Sequence, residues 1–195
     1  MKTLLLMRHA KSSWKHAEMP DHERPLNKRG NKDAPIMGSF IKDKELVPQK
    51  ILCSTALRAT ETARIVQESS GFTGETVFLD SYYLAEPGAY LEALQTLPDE
   101  IERVMVIGHN PGLEGLCQIL SGQIVPLTTG AVAHLVLSID HWNELNMDGE
   151  GELVETFAPD DLKEKEKKGK EKEKKTKVKE TKEKEKGKRK PKKKK

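Results

Sequence analysis

Cysteines and long apolar runs are scarce in this 195-residue chain, and each shortage excludes a class of protein. The two cysteines, Cys53 and Cys117, are too few for a disulfide framework. We interpret both as small buried apolar residues, with a single disulfide as the alternative. No run reaches the roughly 18 apolar residues of a membrane span, and the run at residues 4–7 is too short for a secretory signal. The sequence therefore predicts a soluble, cytoplasmic protein without a transmembrane segment.

Metal-ligand spacing is also missing, because no pair of cysteines or histidines has the short separation of a metal site. We expect neither a metal nor another cofactor. Several histidines are interpreted as structural or solvent-facing, namely His16, His22, His134 and His141.

Charge is distributed unevenly along the chain. Residues 1–162 hold 14 Lys and Arg against 24 Asp and Glu, whereas residues 163–195 hold 20 against 7. Apart from Val178 the second stretch has no large apolar side chain, so it cannot bury a core. We predict one domain over residues 1–160 and a disordered Lys/Glu-rich tail over residues 161–195.

The tail has two interpretations. Alternation of Lys and Glu is typical of a solvated, charged extension. Its last stretch, residues 186–195, is almost purely positive and could bind nucleic acid, anionic lipid or an acidic protein by salt-sensitive attraction. It has no aromatic residue, so stacking on bases is excluded.

Short apolar runs alternate with helical periodicity over the predicted domain. Strands are predicted at residues 4–7, 50–54, 76–79 and 104–107, with a late antiparallel pair at 131–139 and 153–157. The polar stretch from Lys11 to Pro35 is predicted to be mostly loop. This order predicts an α/β fold, a three-layer sandwich with a mainly parallel central sheet and helices on both faces.

Basic side chains follow the ends of three predicted strands: Arg8 with His9, then Arg58, then His109. Carboxyl ends of parallel strands meet at one edge of a sheet, where ligands bind. Arg58 lies in a first helical turn, where it opposes the helix dipole, so helix stability does not explain it. The alternatives are a surface pair between Arg58 and Glu61, and a capping role for His109.

Helix starts near these strand ends carry ordinary capping signals. Thr55 is a predicted N-cap, and Asn110 is another, with Pro111 as the first helical residue. Two arginines and two histidines at one edge suit phosphoryl transfer without a metal. The guanidinium groups neutralise phosphate oxygens, one imidazole attacks phosphorus, and the other donates to the transferring group.

Four pieces of the sequence resemble the histidine phosphatase (phosphoglycerate mutase-like) superfamily, in its SixA-type phosphohistidine phosphatase branch. The pieces are Met7-Arg8-His9-Ala10-Lys11-Ser12-Ser13-Trp14, Arg24-Pro25-Leu26, Ser54-Thr55-Ala56-Leu57-Arg58-Ala59 and Gly108-His109-Asn110-Pro111-Gly112. The resemblance covers residues 1–157 and leaves the tail unmatched. It implies that His9 is the nucleophile and that Arg8, Arg58 and His109 complete a phosphate pocket.

Departures from the superfamily pattern bear on the substrate. Ala10 stands where the superfamily usually has Gly. Where many members carry a general acid, this chain offers Leu84 or Glu86, and Glu86 either touches substrate or only favours a helix start. Further residues expected to line the pocket are Lys11, Ser13 and Asn110.

A missing acid favours substrates whose leaving group departs without a proton. Imidazole leaves easily and an alkoxide does not, so the sequence favours phosphohistidine or other phosphoramidates. The predicted partner is a phosphorylated protein or a small phosphorylated substrate. Two alternatives stay open: a broad small-molecule or sugar phosphate phosphatase, and a non-catalytic phosphoprotein-binding module tethered by the basic tail.

Overall fold

The computed structural model describes residues 1–15, 18–149 and 151–164. The chain divides into two units, Met1–Pro159 and Asp160–Lys195, and the second is described only over a helical stretch at residues 160–164. The tail predicted from residue 161 therefore lies almost entirely outside the described residues, as do its predicted partner interactions. Within the described part, no helix is both long enough and apolar enough to span a membrane.

A six-stranded mixed sheet forms the centre of the first unit. Its strands are β1 (Lys2–Arg8), β2 (Lys50–Ser54), β3 (Glu75–Leu79), β4 (Arg103–Gly108), β5 (Val132–Leu137) and β6 (Gly151–Phe157). Their order is β3-β2-β4-β1-β5-β6, with parallel pairing from β3 to β1 and antiparallel pairing of β5 with β1 and β6. The predicted mainly parallel sheet with a late antiparallel pair is confirmed.

Helices cover both faces of this sheet. They are α1 (Lys28–Asp43), α2 (Leu57–Ser70), α3 (Pro87–Gln95) and α4 (Gly112–Ser121). On one face, Leu4 and Val106 pack with Leu94 and Leu116 from α3 and α4. Alternate strand residues point to opposite faces, so the buried Leu5 faces the other side, where α1 and α2 pack together. The predicted three-layer α/β sandwich is confirmed.

Both predicted N-caps are wrong. Helix α2 begins at Leu57 after an Ala56 N-cap, and Thr55 Oγ1 lies 3.0 Å from His22 Nε2 instead. Helix α4 begins at Gly112, with Pro111 in the N-cap position rather than the first turn. In both cases the side chain that the local pattern predicts as an N-cap instead contacts a residue distant in sequence: Thr55 contacts His22, and Asn110 donates to the Leu127 carbonyl.

The predicted loop from Lys11 to Pro35 is too long at its end. Helix α1 already begins at Lys28, because Asn27 Oδ1 accepts hydrogen bonds from the backbone N–H groups of Arg29 and Gly30. A short 3-10 helix at Asp21–Glu23 interrupts the remaining loop. This early helix fixes the far end of the segment that passes over the carboxyl ends of the strands.

Candidate active site

His9 follows directly after β1 and is 8% exposed. Its Nδ1 lies 2.7 Å from the Ala10 carbonyl oxygen, an acceptor, so Nδ1 carries the proton. Its Nε2 accepts from Arg58 Nε at 3.3 Å. Burial, followed by the charges of Arg58 and Arg8, lowers the pKa of His9 to about 4 despite the Ala10 contact. His9 therefore presents a neutral ring whose Nε2 lone pair faces the cationic groups.

Arg58 lies in the first turn of α2 and is buried. Its NH1 donates to the Asp21 carbonyl at 2.6 Å, and its NH2 donates to Asp21 Oδ2 at 3.0 Å. With Nε directed at His9, each nitrogen of this guanidinium group has a partner. Asp21 thus occupies the fork that the sequence assigns to a phosphate.

Three side chains donate to the Asp21 carboxylate, and Arg58 is one of them. Tyr83 Oη donates to Oδ2 at 2.8 Å, and Arg24 NH1 donates to Oδ1 at 2.5 Å. Partial burial acts to raise the pKa of Asp21, but the Tyr83 hydrogen bond and the charges of Arg58 and Arg24 lower it below the ordinary value. Asp21 is therefore ionised at neutral pH.

Arg24 connects this carboxylate to the loop after β1. Its Nε donates to the Ser13 carbonyl at 3.0 Å, and its NH2 donates to Ser12 Oγ at 2.5 Å. Its guanidinium carbon lies 3.3 Å from the ring centroid of Trp14, a cation–π contact on a side chain that is 74% exposed. The segment over the strand ends is therefore held by charge and by stacking.

His109 follows β4 and is 2% exposed. Its Nε2 lies 2.8 Å from Ser54 Oγ, and its ring centroid lies 5.1 Å from that of His9. Its backbone N–H donates to Tyr90 Oη at 3.3 Å, an approach that depends on Gly108, where a Cβ would lie 2.5 Å from that oxygen. Burial, then the charges of His9 and Arg58, lowers the pKa of His109 to about 3.

Arg8 ends β1, and its NH1 donates to the Leu127 carbonyl at 2.8 Å. Asn110 Nδ2 donates to the same carbonyl at 2.9 Å, while Glu114 Oε1 accepts from the Leu127 N–H at 2.8 Å. Arg8 Nε and Asn110 Oδ1 are buried without a protein partner among the described residues. Burial lowers the pKa of Arg8, and the charge of Glu114 opposes that effect. Arg8 thus keeps an unsatisfied donor, as expected where a ligand binds.

The four residues predicted at the strand ends lie at one edge of the sheet, where Arg8 and Arg58 both act electrostatically on His9 and His109. Of the other predicted pocket residues, Asn110 lies beside Arg8, because both donate to the Leu127 carbonyl. Lys11 is exposed, and Ser13 lines a surface cleft with the segment Pro25–Arg29. Glu86 is exposed at the start of α3, where its side chain makes no capping hydrogen bond. Their predicted contacts with substrate stay predictions.

Sequence reasoning missed Asp21, Tyr83, Ser54 and Glu114. The polar loop after Arg8-His9 was a signal for Asp21, since long loops beside a site are often functional. Ser54 ends the predicted strand at residues 50–54, and the local pattern gives it no functional role. Nothing in the local pattern distinguishes Glu114, whose contact with Leu127 depends on how the chain returns from α4 to β5.

The chain is similar to known proteins in sequence and in fold. A family model described as the histidine phosphatase superfamily (branch 1) matches residues 4–80. An uncharacterized chloroplastic protein of Arabidopsis thaliana is 36% identical over 172 residues, covering 82% of this chain and 78% of that protein. The crystal structure of SixA from Agrobacterium tumefaciens is 28% identical, with a TM-score of 0.69 over 81% of this chain and 98% of that chain. The protein histidine phosphatase SixA with tungstate is 25% identical, with a TM-score of 0.71 over 82% and 99%.

Proposed function

The chain belongs to the histidine phosphatase superfamily, in its SixA-type branch, and from that premise we propose that it hydrolyses phosphohistidine or a related phosphoramidate through a covalent phosphohistidine on His9. Its family and its fold support phosphatase activity. The substrate and the individual roles below belong to the proposal.

The state of His9 is the observation that carries the proposal. A neutral imidazole attacks phosphorus with whichever nitrogen lacks a proton. Because Nδ1 donates its proton to the Ala10 carbonyl, that nitrogen is Nε2, and Nε2 lies 3.3 Å from Arg58 Nε. His9 Nε2, the proposed nucleophile, therefore has a cation beside it that can hold the phosphoryl oxygens.

The reaction has two displacements at phosphorus. In the first, a bond forms from His9 Nε2 to phosphorus as the bond to the leaving group breaks. Arg8 and Arg58 stabilise the charge on the transferring oxygens, and His109 donates a hydrogen bond to them. In the second, water attacks phosphorus, His9 Nε2 leaves, and inorganic phosphate is released.

The acid–base inventory supports a phosphoramidate rather than an alkyl phosphate. Asp21 is the carboxylate that reaches Arg58 among the described residues, and its lowered pKa keeps it ionised. An ionised carboxylate cannot protonate an alkoxide leaving group, whereas an imidazole leaving group has an ordinary pKa of about 6.5 and needs less help. The same reasoning counts against the sugar phosphatase alternative.

Replacing His9 with Ala tests the proposal directly. The wild-type protein is expected to hydrolyse a phosphohistidine peptide faster than a sugar phosphate and to acquire an acid-labile phosphoryl label. H9A is expected to lose both the turnover and the label, while His141→Ala, at an exposed histidine, keeps them. Phosphoramidate turnover retained by H9A contradicts the proposal. A wild-type protein that binds phosphopeptide without turnover supports the binding-module alternative.

A further inference from the structure

The contact between Ser54 and His109 has no part in the proposed displacements. Ser54 is the last residue of β2 and is 0% exposed. Its Oγ lies 2.8 Å from His109 Nε2, the ring nitrogen that points away from Arg58. A buried hydroxyl at this distance fixes which ring nitrogen holds a proton, because one of the two atoms must donate and the other accept.

The hydrogens around Ser54 decide the direction of this bond. The Ala56 backbone N–H already donates to Ser54 Oγ at 3.3 Å. Across residues 1–15, 18–149 and 151–164, the only other side-chain hydrogen-bond partner of this hydroxyl is His109 Nε2, which can accept its hydrogen if that nitrogen carries no proton. If Nε2 carried the proton instead, Ser54 Oγ would receive two N–H donors and its own hydrogen would be buried without an acceptor, which is costly.

We propose that Ser54 is a positioning residue that sets the tautomer of His109, its hydroxyl donating to Nε2 so that the ring carries its proton on Nδ1. Nδ1 faces the side of the pocket where Arg58 and His9 lie, 3.4 Å from Arg58 NH2. That distance is long for a hydrogen bond, and Arg58 NH2 has a closer acceptor in Asp21 Oδ2 at 3.0 Å. The Arg58 contact therefore does not require a lone pair on Nδ1.

The tautomer matters because buried His109 has one proton to offer. Its pKa is lowered to about 3, so the ring is neutral at physiological pH. With the proton on Nδ1, a neutral ring donates to a phosphoryl oxygen, whereas the other tautomer directs a lone pair at an anion. This consequence rests on the proposed function, while the tautomer itself is a property of the ligand-free protein.

Nitrogen-15 histidine NMR of the ligand-free protein tests the tautomer, since long-range proton–nitrogen correlations distinguish Nδ1–H from Nε2–H. We expect His109 in the Nδ1–H form in the wild type. Ser54→Ala is expected to shift His109 toward Nε2–H, the form that free imidazole side chains favour in water. The control is Ser70→Ala, which removes another buried hydroxyl, one that donates to the Gln67 carbonyl, and should leave His109 unchanged.

Kinetics provide a second readout. We expect Ser54→Ala to lower kcat for a phosphohistidine peptide by about tenfold, with KM nearly constant, because the lost donor acts on the transferring group. An Nε2–H form of His109 in the wild type, or an unchanged tautomer in Ser54→Ala, overturns the proposal. The His109 tautomer in the wild-type spectrum tests the proposal even if Ser54→Ala does not fold. A wild type without phosphoramidate turnover refutes the proposed function and leaves the tautomer result standing.

Discussion

The two arginines of the candidate site are held in opposite ways by the two sides of the pocket. Arg58 is held by the Asp21 segment, residues 20–24, through a carboxylate and a carbonyl. Arg8 is held by the Leu127 loop, residues 122–131 between α4 and β5, through a hydrogen bond to a carbonyl. An anionic partner competes with phosphate for a guanidinium group, and a neutral carbonyl does not.

This difference indicates what each side must do when phosphate binds. Arg8 donates to a neutral carbonyl, so phosphate can approach it without displacing a carboxylate. Arg58 has a partner on every nitrogen, so phosphate must displace Asp21 or share the guanidinium with it. The Asp21 segment is therefore expected to move or loosen on binding, and the Leu127 loop to stay in place.

The largest expected effect is the loss of Arg58. Removing one stabilising donor from a phosphoryl-transfer site costs roughly 10²–10³-fold in kcat, so we expect that loss in Arg58→Ala with a phosphohistidine peptide. Arg64→Ala is the control, because Arg64 lies on the same helix and pairs with Glu68 at the surface. Adding Asp21→Asn should recover part of the activity of Arg58→Ala, since it removes a carboxylate that then repels phosphate. Equal recovery on an Arg8→Ala background contradicts the difference between the two sides.

Asp21→Asn alone is expected to tighten binding of a phosphate-like oxyanion. The amide keeps the shape and can still accept from Arg58, but it lacks the charge that competes with the ligand. We expect the Kd for tungstate, measured by calorimetry, to fall about tenfold, equal to about 1.4 kcal/mol. Asp43→Asn, at the exposed end of α1, is the matched control. Weaker tungstate binding in Asp21→Asn shows that the carboxylate supports the site rather than competing within it.

Much of this architecture could be predicted from residues that satisfy local rules. The apolar runs of β1 and β4 read directly as buried strands, and each places a histidine just past its carboxyl end. Contacts that depend on the path of a loop could not be predicted. Asp21 pairs with Arg58, which lies 37 positions later in the chain. Thr55 contacts His22 and Asn110 binds Leu127 instead of capping a helix. Local patterns cannot weigh such distant partners, because they carry no information on which loops converge.

A smaller effect is expected from replacing Glu114, on the Arg8 side of the pocket. It fixes the Leu127 N–H and acts electrostatically on Arg8, so Glu114→Ala should loosen the loop that positions Arg8. Losing one hydrogen bond worth about 1 kcal/mol predicts a roughly fivefold fall in kcat/KM. Glu114→Gln keeps an acceptor for Leu127 and removes the charge, so it separates the two contributions. An Ala variant with wild-type kcat/KM shows that the Leu127 loop holds Arg8 without Glu114.

The smallest change within the pocket is expected from mild acid, which should leave both of its histidines neutral. His9 and His109 have lowered pKa values of about 4 and about 3, whereas Asp99 raises the pKa of exposed His141 above its ordinary value. In an NMR titration from pH 7.5 to 5, the His141 ring signals should move while those of His9 and His109 stay fixed.

The two buried histidines also make the stability of the fold depend on pH. Below pH 6.5 both histidines bind protons in the unfolded chain but stay neutral in the folded pocket. The free energy of unfolding should therefore fall toward pH 4 by up to about 1.4 kcal/mol per pH unit for each buried histidine, and the fall should be shallower in His109→Asn.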